Sequence, residues 1–245
     1  MKSTMATQTE AKRRDKPTSL KRKPVGAVRL GAYERLKQAI LSQEYRPGQL
    51  IGISELARDL GISRTPIREA LSVLERDFLV TLIDMRGAQI RPLTVEEIVQ
   101  LNHVREVIDG LAARLAATLM SDAAIDDFEK QFNALLQDAE FPDPEKQALL
   151  SSQLHSAITA ACGNAYVQSQ WAHLNTAFDR VKRHGWSFWM RSGEKGELSM
   201  RRFQEHLEIL RALKLRDPQR CEDAARVHIS NSSADLLKYL RPPFR

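Results

Sequence analysis

The sequence predicts a mainly α fold: a small N-terminal helical unit closed by a β-hairpin, then an antiparallel all-α bundle of six or seven helices. Three observations predict it. Between residues 31 and 78, apolar residues recur at helical spacing in segments separated by short turns. Two short β-prone runs come next, around Asp84-Met85-Arg86-Gly87. From Thr94 onwards every long segment keeps a helical period and no strand-like alternation recurs.

With 245 residues the chain has room for two domains. No run of about 18 apolar residues is present and the N-terminus has no apolar core of a signal peptide, so a cytoplasmic protein without a membrane partner is expected. Cys162 and Cys221 stand far apart, which argues against a disulfide framework or a Cys-based zinc site. The formal net charge is +6, and its distribution says more than its sum. Residues 1–29 hold nine Lys/Arg against Glu10 and Asp15, while the other 216 residues sum to −1. This segment is predicted to be a disordered basic tail, too poor in apolar residues to offset ordering entropy. Beside a DNA-binding element it would add phosphate contacts that weaken with salt.

Tyr33, Leu36, Ile40 and Leu41 mark a first helix from Gly31 to about Gln43, closed by a turn at Arg46-Pro47-Gly48. Ser54 is the expected N-cap of a short helix through Leu60, with Gly61 ending it. Thr65 and Pro66 read as N-cap and first residue of the next helix, whose stripe is Ile67, Leu71, Leu74 and Phe78. Leu79 to Ile83 and Ala88 to Pro92 form the hairpin. Helix, helix, turn, helix and hairpin make residues 30–92 a winged helix-turn-helix. Thr94 with Glu97 then forms a capping box at the start of a second domain, residues 94–241. Its helices are expected at about 94–120, 122–138, 145–162, 164–184, 198–215 and 218–240.

Arg64 and Arg68 project from the N-terminal end of the third helix, away from Ile67 and Leu71. Two cations at an already positive helix end are unfavourable unless an anion binds there. In a helix-turn-helix that end enters the major groove, where Arg suits guanine edges and phosphates. The competing reading is an ordinary surface ion pair with Glu69 or Glu75.

The run PGQLIGISELARDLGISRTPIREALSVLERDFLV, with a hairpin carrying Gly87 after it, resembles the GntR family of bacterial transcription regulators over about residues 31–92. The resemblance implies that Arg64 and Arg68 contact operator bases and phosphates and that Gly87 lets the wing tip approach the minor groove. The candidate DNA interface is Ser54, Arg58, Ser63, Arg64, Thr65, Pro66, Arg68 and Gly87. Some relatives carry an arginine contact at the position of Ser54, where a serine reaches at most a phosphate. Residues 94–240 resemble, more diffusely, the FadR-type branch with an FCD ligand-binding domain. That likeness rests on the run from Val104 through Arg105, Asp109 and Gly110 to Ala117, on Leu154-His155, Ala161-Cys162-Gly163-Asn164, Glu205-His206 and His228.

His155, His206 and His228 lie on three separate predicted helices, and such histidines are commonly satisfied core or surface residues. Converging inside a bundle they would suit a divalent Zn or Ni type of ion, with positions left for water or an effector carboxylate. The resemblance implies a metal held by these three and by an Asp one helical turn before the first. Ser151 stands at that position, so a charged ligand is lost and affinity falls or water substitutes. Arg105, where related domains have an arginine facing the effector cavity, needs an anion: Asp109 or another internal acid, or a small carboxylate effector bound bidentately. The aromatic run at residues 186–189 either packs the end of the bundle or lines an aromatic effector's pocket.

The resemblance implies a homodimer on double-stranded DNA with a palindromic operator, more commonly a repressor released by its ligand. Two alternatives differ in class. A metal-dependent enzyme would need a general base near the histidines, and their helical register offers no obvious Glu. A non-specific architectural DNA-binding protein would leave the helical domain without a role.

Overall fold

Helix α1 (Val25–Leu41) forms because Ala32, Leu36, Ala39 and Ile40 give it one buried stripe, which packs on the third helix. The computed structural model describes residues 25–84, 86–136, 140–189 and 195–239. Of the basic segment, residues 1–24 lie outside these, and 25–29 begin α1, which starts earlier than the expected Gly31. Strand β1 (Leu50–Ile51) comes next; two residues are too few to show alternation, so the sequence reading missed it.

Helix α2 (Ile53–Asp59) is preceded by Gly52 as N-cap, which places Ser54 inside the first turn rather than at the cap. Gly61 closes it in the left-handed region at φ 64°, as expected. Helix α3 (Arg64–Arg76) has Ser63 as N-cap, so it begins earlier than the Thr65 cap predicts. Pro66 still fits, because any residue of the first turn has an N–H without an intrahelical partner. Ile67, Ala70, Leu71 and Leu74 are fully buried. Phe78 is not part of this stripe. The helix ends at Arg76, Phe78 turns at φ 58° and is 44% exposed, and Leu79 takes the buried place.

The hairpin is β2 (Val80–Ile83) with β3 (Gly87–Ile90), antiparallel from Val80 opposite Ile90 to Ile83 opposite Gly87. β3 also pairs with β1, giving the order β1-β3-β2. Gly87 has a requirement within the sheet: φ is 122°, and an added Cβ would lie 2.2 Å from the Ile51 carbonyl oxygen. Gly87→Ala is therefore expected to destabilise the N-terminal domain by about 1–3 kcal/mol. Denaturant unfolding would show it, and an unchanged midpoint would mean that β1 and β3 do not approach so closely.

The second part is all helical: α4 (Val95–Ala116), α5 (Asp122–Ala134), α6 (Pro144–Ala161), α7 (Ala165–Trp189), α8 (Lys195–Lys214) and α9 (Pro218–Tyr239). Thr94 caps α4 by accepting from Glu97 N at 3.0 Å, while the Glu97 carboxylate pairs with Arg91. Ser121 and Asp143 cap α5 and α6, and prolines open α6 and α9. α4 lies against α9, α7 and α6, and the core gathers around Phe132, Leu154, Ile209 and Leu213. α7 runs to Trp189 instead of stopping at residue 184, because one glycine costs a helix only about 1 kcal/mol. The aromatic side chains at residues 186–189 lie outside the described residues. Among the described residues no helix is long and apolar enough to cross a membrane.

Candidate functional sites: an arginine-bearing helix end and a histidine-lined cavity

The buried stripe of α3 fixes which way its other face points. Ser63, Arg64, Thr65 and Arg68 are exposed at its N-terminal end, and Ser54 and Arg58 are exposed on α2. Pro66 and Gly87 are buried, so they shape the surface rather than present themselves on it. Among the described residues neither Arg64 nor Arg68 has an ion pair. Glu75, a rival partner, instead accepts from Leu82 N at 2.8 Å. Arg86, exposed beside Gly87, adds a cation at the wing that the sequence reading passed over.

In the bundle, α6, α8 and α9 bring His155, His206 and His228 together, all buried, with one ligand atom from each within 4.8 Å of the others. Each ring is oriented by its Nδ1. His155 Nδ1 lies 3.2 Å from Asp109 Oδ1, His206 Nδ1 is 2.6 Å from Arg202 O, and His228 Nδ1 is 2.9 Å from Glu205 Oε2. All three neighbours are acceptors, so each Nδ1 carries the proton and each Nε2 keeps its lone pair. Burial, and then the neighbouring histidines, push His206 well below its usual range. Burial and His155 do the same to His228. Neutral imidazoles are what metal ligation requires. Ser151 Oγ is 2.7 Å from His206 Nε2, and with that tautomer the hydroxyl donates. The donor set therefore fits a divalent ion held by three Nε2 atoms, with a hydroxyl where a carboxylate would add charge.

These histidines and Ser151 line a cavity of about 370 Å³. Arg105, Lys182, Arg183 and Arg202 also line it, against Asp179, so cations outnumber acids on the wall. Arg105 is only 3% exposed, and the expected internal acid is Asp109. Its Nε pairs with Asp109 Oδ2 at 3.0 Å, yet its Nη1 is buried without a hydrogen-bond partner. Its guanidinium lies 3.8 Å from the Phe178 ring centroid. Asp109 also accepts from Trp171 Nε1 at 3.0 Å. Burial alone would raise the Asp109 carboxyl, but Arg105, His155 and Trp171 hold it well below the usual carboxylate range.

The sequence reading missed Asp109 and Glu205 as orienting acceptors, and Lys182 on the cavity wall. A carboxylate four residues from Arg105, and one adjacent to His206, were the signals present.

Two family descriptions fit the chain: "Bacterial regulatory proteins, gntR family" over residues 29–90 and "FCD domain" over residues 100–231. An uncharacterized HTH-type transcriptional regulator of Bacillus subtilis (strain 168), YdhC, is 24% identical over 85% of this chain and 90% of its own. The HTH-type transcriptional repressor GlaR of Escherichia coli (strain K12) is 24% identical over 82% and 91%. Among solved structures, E. coli McbR/YncC shares the fold with a TM-score of 0.67 at 19% identity, covering 87% of this chain and 99% of that one. The chain is a DNA-binding transcriptional regulator and belongs to the bacterial regulatory proteins of the gntR family, in the branch that carries an FCD domain.

Proposed function

We propose that the chain is a repressor that binds a palindromic operator as a homodimer through Arg64 and Arg68, and that a small organic acid bound in the histidine-lined cavity modulates this binding. One observation carries the reading: three histidines, each anchored at its Nδ1, and Arg105 with its unpaired Nη1 are buried side chains that line the same cavity. His155, His206 and His228 would hold a divalent ion, and Ser151 or water would stand in for the fourth ligand. An ion held there would supply a Lewis acid for a carboxylate oxygen, and Arg105 would donate to the same anion. An anion that binds better in one arrangement of the two winged domains than in the other shifts operator affinity, and no other route is open to it. GlaR and the gluconate operon transcriptional repressor of B. subtilis, 24% identical over 76% of this chain, are repressors by name, which favours that sign.

Untagged protein tests the reading. Wild type is expected to carry stoichiometric metal and His206→Ala none. Glu205→Gln, which changes the acceptor of the His228 Nδ1 proton, is expected to weaken metal affinity about 10–100-fold. In a thermal-shift screen of carboxylic acids with metal, a ligand at a hundred times its Kd adds about 2.7 kcal/mol of stability. Arg105→Met should cancel that gain. Metal content insensitive to His206→Ala, or a carboxylate shift untouched by Arg105→Met, would sink the proposal.

A further inference from the structure

Helix α7 has two working faces. Asn175, Phe178, Asp179 and Lys182 line the effector cavity. His173, Thr176 and Arg180 point the other way, into the winged helix-turn-helix: at 100° per residue the two sets are centred about 140° apart. Each member of the second set has a partner across the domain boundary. His173 Nδ1 lies 2.7 Å from Asp77 Oδ1, Lys37 Nζ donates to Thr176 Oγ1 at 3.3 Å, and Arg180 donates to the Arg91 carbonyl oxygen. Phe178 joins the two faces, since it also packs in a small core with Leu93, Ile98 and Val181 where the two domains meet.

Asp77 is the C-cap of α3 and is 4% exposed. Its second oxygen, Oδ2, accepts from Tyr33 of α1 at 2.5 Å, so the carboxylate is held within the N-terminal domain while it reaches His173. We infer that the His173–Asp77 bond positions the DNA-reading helix on the effector domain. α3 is about 20 Å long, with Asp77 at one end and Arg64 at the other. A small rotation at Asp77 therefore swings the arginines by a comparable or larger displacement at the DNA. A two-fold operator fixes the distance between two such ends, and a free swivel spreads that distance over many unproductive values. α7 carries this clamp on one face and cavity wall on the other, so one rigid helix separates ligand from reading head. The clamp stands independently of the metal and effector readings above.

Distances between nitroxide labels at Ser72→Cys in α3 and Asn133→Cys in α5 test it, with labelled chains diluted into unlabelled ones. Cys162 and Cys221 are buried and stay unlabelled. Wild type is expected to give one narrow distribution and His173→Ala one at least twice as wide. His173→Gln, which restores an N–H donor, should narrow it again, and thermal melting should confirm that all variants fold. On DNA selected in vitro by the wild type, His173→Ala should lose at least tenfold on the full two-fold site and less than twofold on an isolated half-site. A distribution as narrow in His173→Ala as in wild type, or one that His173→Gln fails to narrow, would overturn the inference. A failed metal or carboxylate result would leave this distance measurement unaffected.

Discussion

Alanine at Arg64 or at Arg68 is expected to weaken operator binding about 5- to 150-fold each, the range set by about 1–3 kcal/mol per good arginine contact. Both side chains are exposed at the start of α3. Folding stability should therefore change by no more than about 0.5 kcal/mol, as for ordinary surface substitutions. The two arginines are also separable by kind of contact. One that reads a base edge loses discrimination at one operator position, whereas one that grips phosphate weakens all sequences alike and lowers the salt slope by about 1. The double variant need not show the sum, because residues four apart on one helix share partners. Binding of either single variant as tight and as selective as wild type, at matched salt, would contradict the assignment of this helix end to DNA readout.

Why that much was legible in the sequence, and other parts were not, has a physical reason. A helix with one buried stripe reveals itself by period, so α3 and the direction of Arg64 and Arg68 could be read from Ile67, Leu71 and Leu74. Its ends are set by backbone geometry, which sequence encodes weakly: Ser63 rather than Thr65 caps α3, and Phe78 leaves the stripe because the chain has already turned. β1 was invisible for the opposite reason, since its two residues acquire strand character only by pairing with β3. Gly87 was marked by its place in a recognisable motif, while the neighbour that requires it, the Ile51 carbonyl, is 36 residues away. The three histidines were legible as residue types on three helices. Their orienting carboxylates were not, because Asp109 reaches His155 only once α4 has packed on α6, and Glu205 reaches His228 only once α8 has packed on α9.

That packing brings three donors to the Asp109 carboxylate, and Asp109→Ala is expected to cost at least about 3–5 kcal/mol of folding stability. The carboxylate serves three donors at once: Arg105 Nε, Trp171 Nε1 and His155 Nδ1. Removing it leaves the Arg105 guanidinium, 3% exposed and already one partner short, as an unpaired charge inside the bundle. Two neutral N–H donors also lose their acceptor, each worth about 1–3 kcal/mol when buried. Adding Arg105→Met to Asp109→Ala removes the stranded charge but not the stranded donors. The double variant should therefore be more stable than Asp109→Ala alone while remaining less stable than wild type. Metal affinity should not track stability. His155 has lost the acceptor that fixes its tautomer in both variants, so both should bind metal about 10–100-fold more weakly than wild type. A double variant that regains stability and metal affinity together would mean that Asp109 acts only as the counter-charge of Arg105. If Asp109→Ala alone costs less than about 1 kcal/mol, the buried pair is not what orders this end of the cavity.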